Sequence, residues 1–88
     1  MAEELRILLI EDDPFDAELV ERRLTESGLA FVLHRAHDET SFRQELSEFA
    51  PDLVLADYWL PVFSGARALQ IVKERSPDVP FIFFSGTL

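Results

Sequence analysis

Four short apolar runs divide the chain: Arg6–Ile10 (RILLI), Ala30–Arg35 (AFVLHR), Leu53–Ala56 (LVLA) and Phe81–Phe84 (FIFF). Short apolar runs of this kind suit strands covered on both faces. Helical signals fill the gaps between them. Asp13 before Pro14 reads as a helix start, because the carboxylate can cap free backbone N–H groups and proline tolerates the first helical position. Ala17, Val20 and Leu24 recur at i, i+3 and i+7, Glu18 stands four residues before Arg22 as a favourable surface pair, and Gly28 terminates the segment. A second helix is predicted over Glu39–Ala50, with Phe42, Leu46 and Phe49 on one face, Asp38 as its cap and Pro51 blocking extension. A third runs from about Gly65 to Arg75 behind a Ser64 cap, with Ala68, Leu69 and Val72 on one face. Pro77 and Pro80 bracket the next turn. The order is therefore β-α-β-α-β-α-β. Strands too apolar to face water then require right-handed crossovers and a parallel sheet between helices, an α/β doubly wound arrangement.

Composition narrows the function. A chain of 88 residues makes one small domain. The absence of cysteine excludes a disulfide scaffold, a thiol nucleophile and a cysteine-ligated zinc site. A formal charge of −9 repels phosphate backbones, so direct nucleic-acid binding is not expected. An apolar fraction of 48% is too high for a disordered acidic tail. No apolar run approaches a membrane span, and the opening MAEELR is too acidic for a signal peptide. A soluble cytoplasmic domain is the expectation.

In open parallel sheets, ligands bind beyond the carboxyl ends of the strands, near the point where strand order reverses. Glu11, Asp12 and Asp13 stand at the end of strand one, Asp57 at the end of strand three and Ser85 at the end of strand four. In a sheet ordered 2-1-3-4, strands one and three are neighbours, so carboxylates converge on one small area. Carboxylates held together must bind a proton or enclose a cation. Hard oxygen ligands with open water positions suit Mg²⁺, which leaves room for a phosphoryl oxygen.

The segments LLIEDDPFDAELVERRLTESG, PDLVLADYWLPVFSGARALQIVKE and VPFIFFSG closely resemble the response-regulator receiver domain of two-component signalling, over essentially the whole chain. The most specific part is the D-x-x-L-P-x-x-S-G-x-x-A-L pattern from Asp57 to Leu69, together with the strand-end acids. The resemblance implies a flavodoxin-like fold and places on Asp57 the role of phospho-acceptor for a histidine kinase or histidine phosphotransfer protein. It implies an acidic pair that holds Mg²⁺. Counted back from Gly28, the pair matches Glu11 and Asp12, with Asp12 the direct ligand, Glu11 acting mainly through water and Asp13 the helix cap. Asp12 with Asp13 is the other assignment. Trp59 would add a ligand through its backbone carbonyl. Ser85 matches a hydroxyl that contacts the phosphoryl group, and Gly86 a small residue that leaves room for it. Such a module assists its own phosphorylation and dephosphorylation and is not otherwise an enzyme.

Plainer readings stand beside these. A single strand-end aspartate is ordinarily a cap or a turn residue, and only the joint placement of Glu11, Asp12, Asp57 and Ser85 favours chemistry. His34 and His37 have metal-like spacing but leave strand two at the wrong edge, so a structural or solvated role is expected. Tyr58 and Trp59 serve equally as loop packing or as a recognition patch. A haloacid-dehalogenase-type phosphatase also uses acids after strand one, in the order D-x-D, but Glu11 occupies the first position and Asp57 would have no role. No glycine-rich phosphate loop exists either. A receiver-like interaction module that works without phosphorylation is the main alternative.

The resemblance also implies a further helix, strand and helix, with a lysine at the end of the fifth strand. The 88 residues are expected to be an amino-terminal portion of a receiver, truncated after strand four and lacking that lysine. Lys73 cannot replace it, because it belongs to the third helix. Strand four would then be a bare edge, and self-association or element exchange through it is expected. Phe15 and Leu19 lie off the apolar face of the first helix and would suit a fifth helix.

Overall fold

A computed structural model describes residues 4–57 and 63–84. The elements run β1 (Leu5–Ile10), α1 (Pro14–Glu26), β2 (Phe31–Ala36), α2 (Glu39–Glu48), β3 (Leu53–Asp57), α3 (Gly65–Arg75) and β4 (Phe81–Phe84). The four strands form one parallel sheet in the order β2-β1-β3-β4, as the alternation required. In register, Ile10 lies opposite Ala36 on one side and Ala56 on the other, which brings the carboxyl ends of β1, β2 and β3 level.

Helix boundaries follow local chemistry. The Asp13 carboxylate accepts from the Phe15 N–H at 2.8 Å, and Pro14 opens α1. At the other end Ser27 is the C-cap, and Gly28 follows at φ +83°, a left-handed conformation that carries little cost only without a Cβ. Asp38 and Ser41 form a reciprocal capping box at the start of α2. The Ser64 hydroxyl accepts from the Arg67 N–H at 3.1 Å to start α3.

Some boundaries and one face differ from expectation, and β1 begins at Leu5 rather than Arg6. Helix α2 ends at Glu48 rather than Ala50, because Pro51 disfavours helical backbone in the residue before it. Ala50 turns instead through φ +51°. Strand β2 is displaced one residue toward Ala36, whose side chain is fully buried and whose carbonyl accepts from the Glu11 N–H. Helix α1 ends at Glu26 with Ser27 as its C-cap, so Gly28 terminates it as expected. On α3 the buried face is Gly65, Ala68, Ile71 and Val72, with Ile71 fully buried and Leu69 only half so.

Both faces of the sheet are covered. Leu8, Ile10, Val54 and Ala56 pack beneath α2 and α3 with Phe42, Leu46, Ile71 and Val72, and Phe63 completes this layer with its ring 5.5 Å from that of Phe42. On the opposite face Leu9 meets Ala17 and Val20 of α1, with Leu24, Leu33, Leu55 and Phe84 around them. Alternation along β1 sends Leu8 and Ile10 one way and Leu9 the other. Strand β4 is the sheet edge among the described residues, and its Ile82 and Phe83 are 48% and 39% exposed.

Candidate metal centre

The chain leaves β1 at Ile10 and turns at once into α1, so Glu11 and the first turn of that helix face the end of β3. The β1–β3 register sets Glu11 beside Asp57. Both carboxylates are withdrawn from water, Glu11 at 1% exposure and Asp57 at 5%. Asp16, in the first turn of α1, reaches the same place. One oxygen from each of Glu11, Asp16 and Asp57 lies within 4.8 Å of the others.

Backbone contacts hold Glu11 in this position. Its Oε1 accepts from the Asp13 N–H at 3.0 Å, a bond that also shapes the turn into α1. From the end of β2, Arg35 Nη1 donates to the Glu11 carbonyl at 3.0 Å and the Asp12 carbonyl at 3.4 Å. The other oxygen, Oε2, is buried with no hydrogen-bond partner among the described residues. Two ionised carboxylates offer each other no donor, so an orphaned acceptor beside Asp57 calls for a proton or a cation.

The proton affinity of Glu11 reflects this. Its carboxyl is pushed up to about 8, first by burial and then by a hydrogen bond it makes to Asp57 when protonated. The Asp13 N–H acts in the opposite direction, favouring the ionised form. Asp12 adds a further bond to the protonated form of Glu11.

The donor set fits Mg²⁺. All three groups are hard oxygens, and the orphaned Oε2 of Glu11 is a ready ligand. Mg²⁺–oxygen bonds of about 2.0–2.1 Å put opposite ligands roughly 4 Å apart. The 4.8 Å spread therefore lets a cation draw the carboxylates in by less than one bond length.

Glu11 and Asp57 meet as the sequence indicated, and Asp13 is the α1 cap. Asp12 is exposed and reaches Glu11, but the three-carboxylate group does not include it. Tyr58, Trp59, Ser85 and Gly86 lie outside the described residues. Asp16 is the member of the group that the sequence did not single out. His34 stacks on Phe49 with ring centroids 3.8 Å apart and contacts Glu45. His37 pairs with the Asp38 carboxylate. The two histidines thus serve different contacts and form no shared ligand set among the described residues.

Comparison with known proteins agrees with this geometry. Residues 7–88 match the response regulator receiver domain family. The two-component response regulator ORR1 of Oryza sativa subsp. japonica is 32% identical over 91 residues, covering 92% of this chain and 39% of that protein. The sensory transduction protein BceR of Bacillus subtilis is 34% identical over 92% of this chain and 34% of its own length. Among solved structures, the non-phosphorylated HemR receiver domain from Leptospira biflexa superposes with a TM-score of 0.76 at 28% identity, covering 93% of this chain and 64% of that one.

A doubly wound parallel sheet with acids converging at its β1–β3 end is the architecture of the receiver module of two-component signalling. This chain belongs to the response regulator receiver domain family. It spans between about a third and two fifths of the length of ORR1 and BceR. No helix among the described residues is long and apolar enough to cross a membrane.

Proposed function

We propose that Asp57 accepts a phosphoryl group from a phosphohistidine on a histidine kinase or histidine phosphotransfer protein, in a Mg²⁺-dependent phosphorelay in the cytoplasm. The observation that carries this reading is the burial of Asp57 against the orphaned Oε2 of Glu11, in a chain of this family. An Asp57 oxygen attacks phosphorus in line. The phosphorus–nitrogen bond to the partner imidazole breaks, and an acyl phosphate is left on Asp57. Such transfers depend mainly on positioning and on neutralising charge spread over the phosphoryl oxygens. Bound Mg²⁺ would supply that positive charge, held by Glu11, Asp12 and Asp57 with the Trp59 carbonyl. Ser85 would contact a phosphoryl oxygen. Water hydrolyses the acyl phosphate and resets the signal.

Incubation with Mg²⁺ and acetyl phosphate, followed by intact mass, tests this. A phosphate adduct that disappears in Asp57→Asn is expected. No adduct, under conditions that label a longer receiver, overturns the reading. A second reading, a module that acts through binding without phosphorylation, is favoured by the exposure of Ile82 and Phe83 on β4. Strand edges of that kind pair readily with another chain, here a second copy. Sedimentation at rising concentration tests it, and a strict monomer with slow amide exchange across β4 counts against it.

A further inference from the structure

We propose that Asp16 is a direct carboxylate ligand of the metal centre, which makes this a three-carboxylate site anchored on α1. The inference rests on the reading of the cluster as a Mg²⁺ site. It goes further by assigning a ligand that the strand-end acids do not include. An acid in the first turn of a helix has an ordinary explanation, since it complements the partial positive charge of the helix N-terminus. Two observations go beyond that. Asp16 is half-buried, and its carboxylate lies within 4.8 Å of both Glu11 and Asp57, two groups already withdrawn from water. A helix-dipole role needs no such approach, and carboxylates this close repel one another whenever they are ionised. The second observation is the Glu11 Oε2 atom, fully buried and partnerless beside the same cluster. A cation bound there satisfies Oε2 and removes the repulsion together.

The placement of Asp16 is rigid. Its neighbour Ala17 is buried against the sheet and Val20 packs one turn further on, so the backbone of Asp16 cannot drift from the site. Asp12 stands in the exposed turn before the helix, beside Glu11. Three carboxylates give a formal charge more negative than a dication can neutralise. The site should therefore accept Mn²⁺ and Ca²⁺ as well as Mg²⁺, with affinity falling as each carboxylate is removed.

Calorimetric titration of MgCl₂ into the metal-free 88-residue chain and into its Asp16→Asn variant gives the test. Changes in the groups around metal ligands commonly cost 10- to 100-fold in affinity, and a loss of about tenfold is expected here. A loss smaller than about threefold, well below that range, overturns the proposal. Thermal unfolding without metal separates a ligand from a helix-stabilising acid. Asp16→Asn relieves repulsion in the ligand case, so the metal-free Tm stays level or rises. A lower metal-free Tm with unchanged Mg²⁺ affinity identifies a helix acid and overturns the assignment. Failure of the parent chain to bind Mg²⁺ overturns it together with the metal reading. Binding that depends on Asp16, with no phosphate adduct on Asp57, sustains it while the phosphorelay reading fails.

Discussion

Glu11 and Asp57 stand at the ends of neighbouring parallel strands with carboxyl oxygens within 4.8 Å of each other, and both are shielded from water. A pair of this kind needs one proton or one cation between its members. The sheet register creates that need, because it sets the two strand ends level and the turn into α1 closes over them.

The first consequence is a pH dependence of unusual sign for an acid. In the folded, metal-free chain the Glu11 carboxyl is raised from 4.5 to about 8. The folded state therefore binds this proton more tightly than the unfolded state does. The stabilisation is fully present below the unfolded value and is lost as pH rises through the folded one. Metal-free Tm should fall between about pH 5 and pH 9, and Glu11→Gln should flatten that slope. Mg²⁺ must displace the same proton, so its affinity should rise over the same interval. Unfolding curves in a chelator, and Mg²⁺ titrations at stepped pH, check both. A Tm that holds steady or climbs across this range for the parent chain contradicts the assignment.

Arg35 is a second point of control. Its guanidinium ties the end of β2 to the carbonyls of Glu11 and Asp12, so it fixes the turn that presents both acids without touching their carboxylates. Arg35→Ala should weaken Mg²⁺ binding several-fold, at the low end of the 10- to 100-fold range seen for outer contacts of metal sites. Arg35→Lys should recover part of the loss, because a single nitrogen, Nη1, makes both contacts and a lysine ammonium can stand in for it on a more flexible stem. Calorimetry on the two variants provides the measurement. Equal Mg²⁺ affinity in parent and alanine variant would show the turn to be held without Arg35.

The third prediction concerns the scaffold. Phe42 is fully buried between α2 and the sheet, with Phe63 against its ring. Truncation to alanine removes those contacts and leaves a cavity, at a cost of about 3–5 kcal/mol. That is a large share of the stability of a small domain. Urea unfolding should show a lower midpoint. Leu29, exposed in the turn before β2, makes a suitable control and should change little on replacement by alanine.

Much of this structure is legible in residue order. RILLI, LVLA and FIFF cannot face water, and the capping signals at Asp13, Asp38 and Ser64 each start the helix they mark. Where the reading slipped, a local constraint competed with periodicity. Pro51 cut α2 short through the backbone of Ala50, and α3 turned Ile71 rather than Leu69 into the core because packing against two neighbours selects the buried face. Glu11 and Asp57 could be paired from sequence because each follows directly on an apolar strand. Asp16 could not, because nothing in its own segment distinguishes it from Glu18 or Glu21.

The sequence by itself determined the element order, the parallel sheet and the strand ends at which its acids stand, since apolar periodicity and capping are local and carry their own physics. Only the tertiary structure decided which acids share a site. That choice depends on the β1–β3 register and on the angle at which α1 leaves the sheet. Both are set by the packing of Ala17 and Val20 on Leu9, across distances that no local pattern encodes.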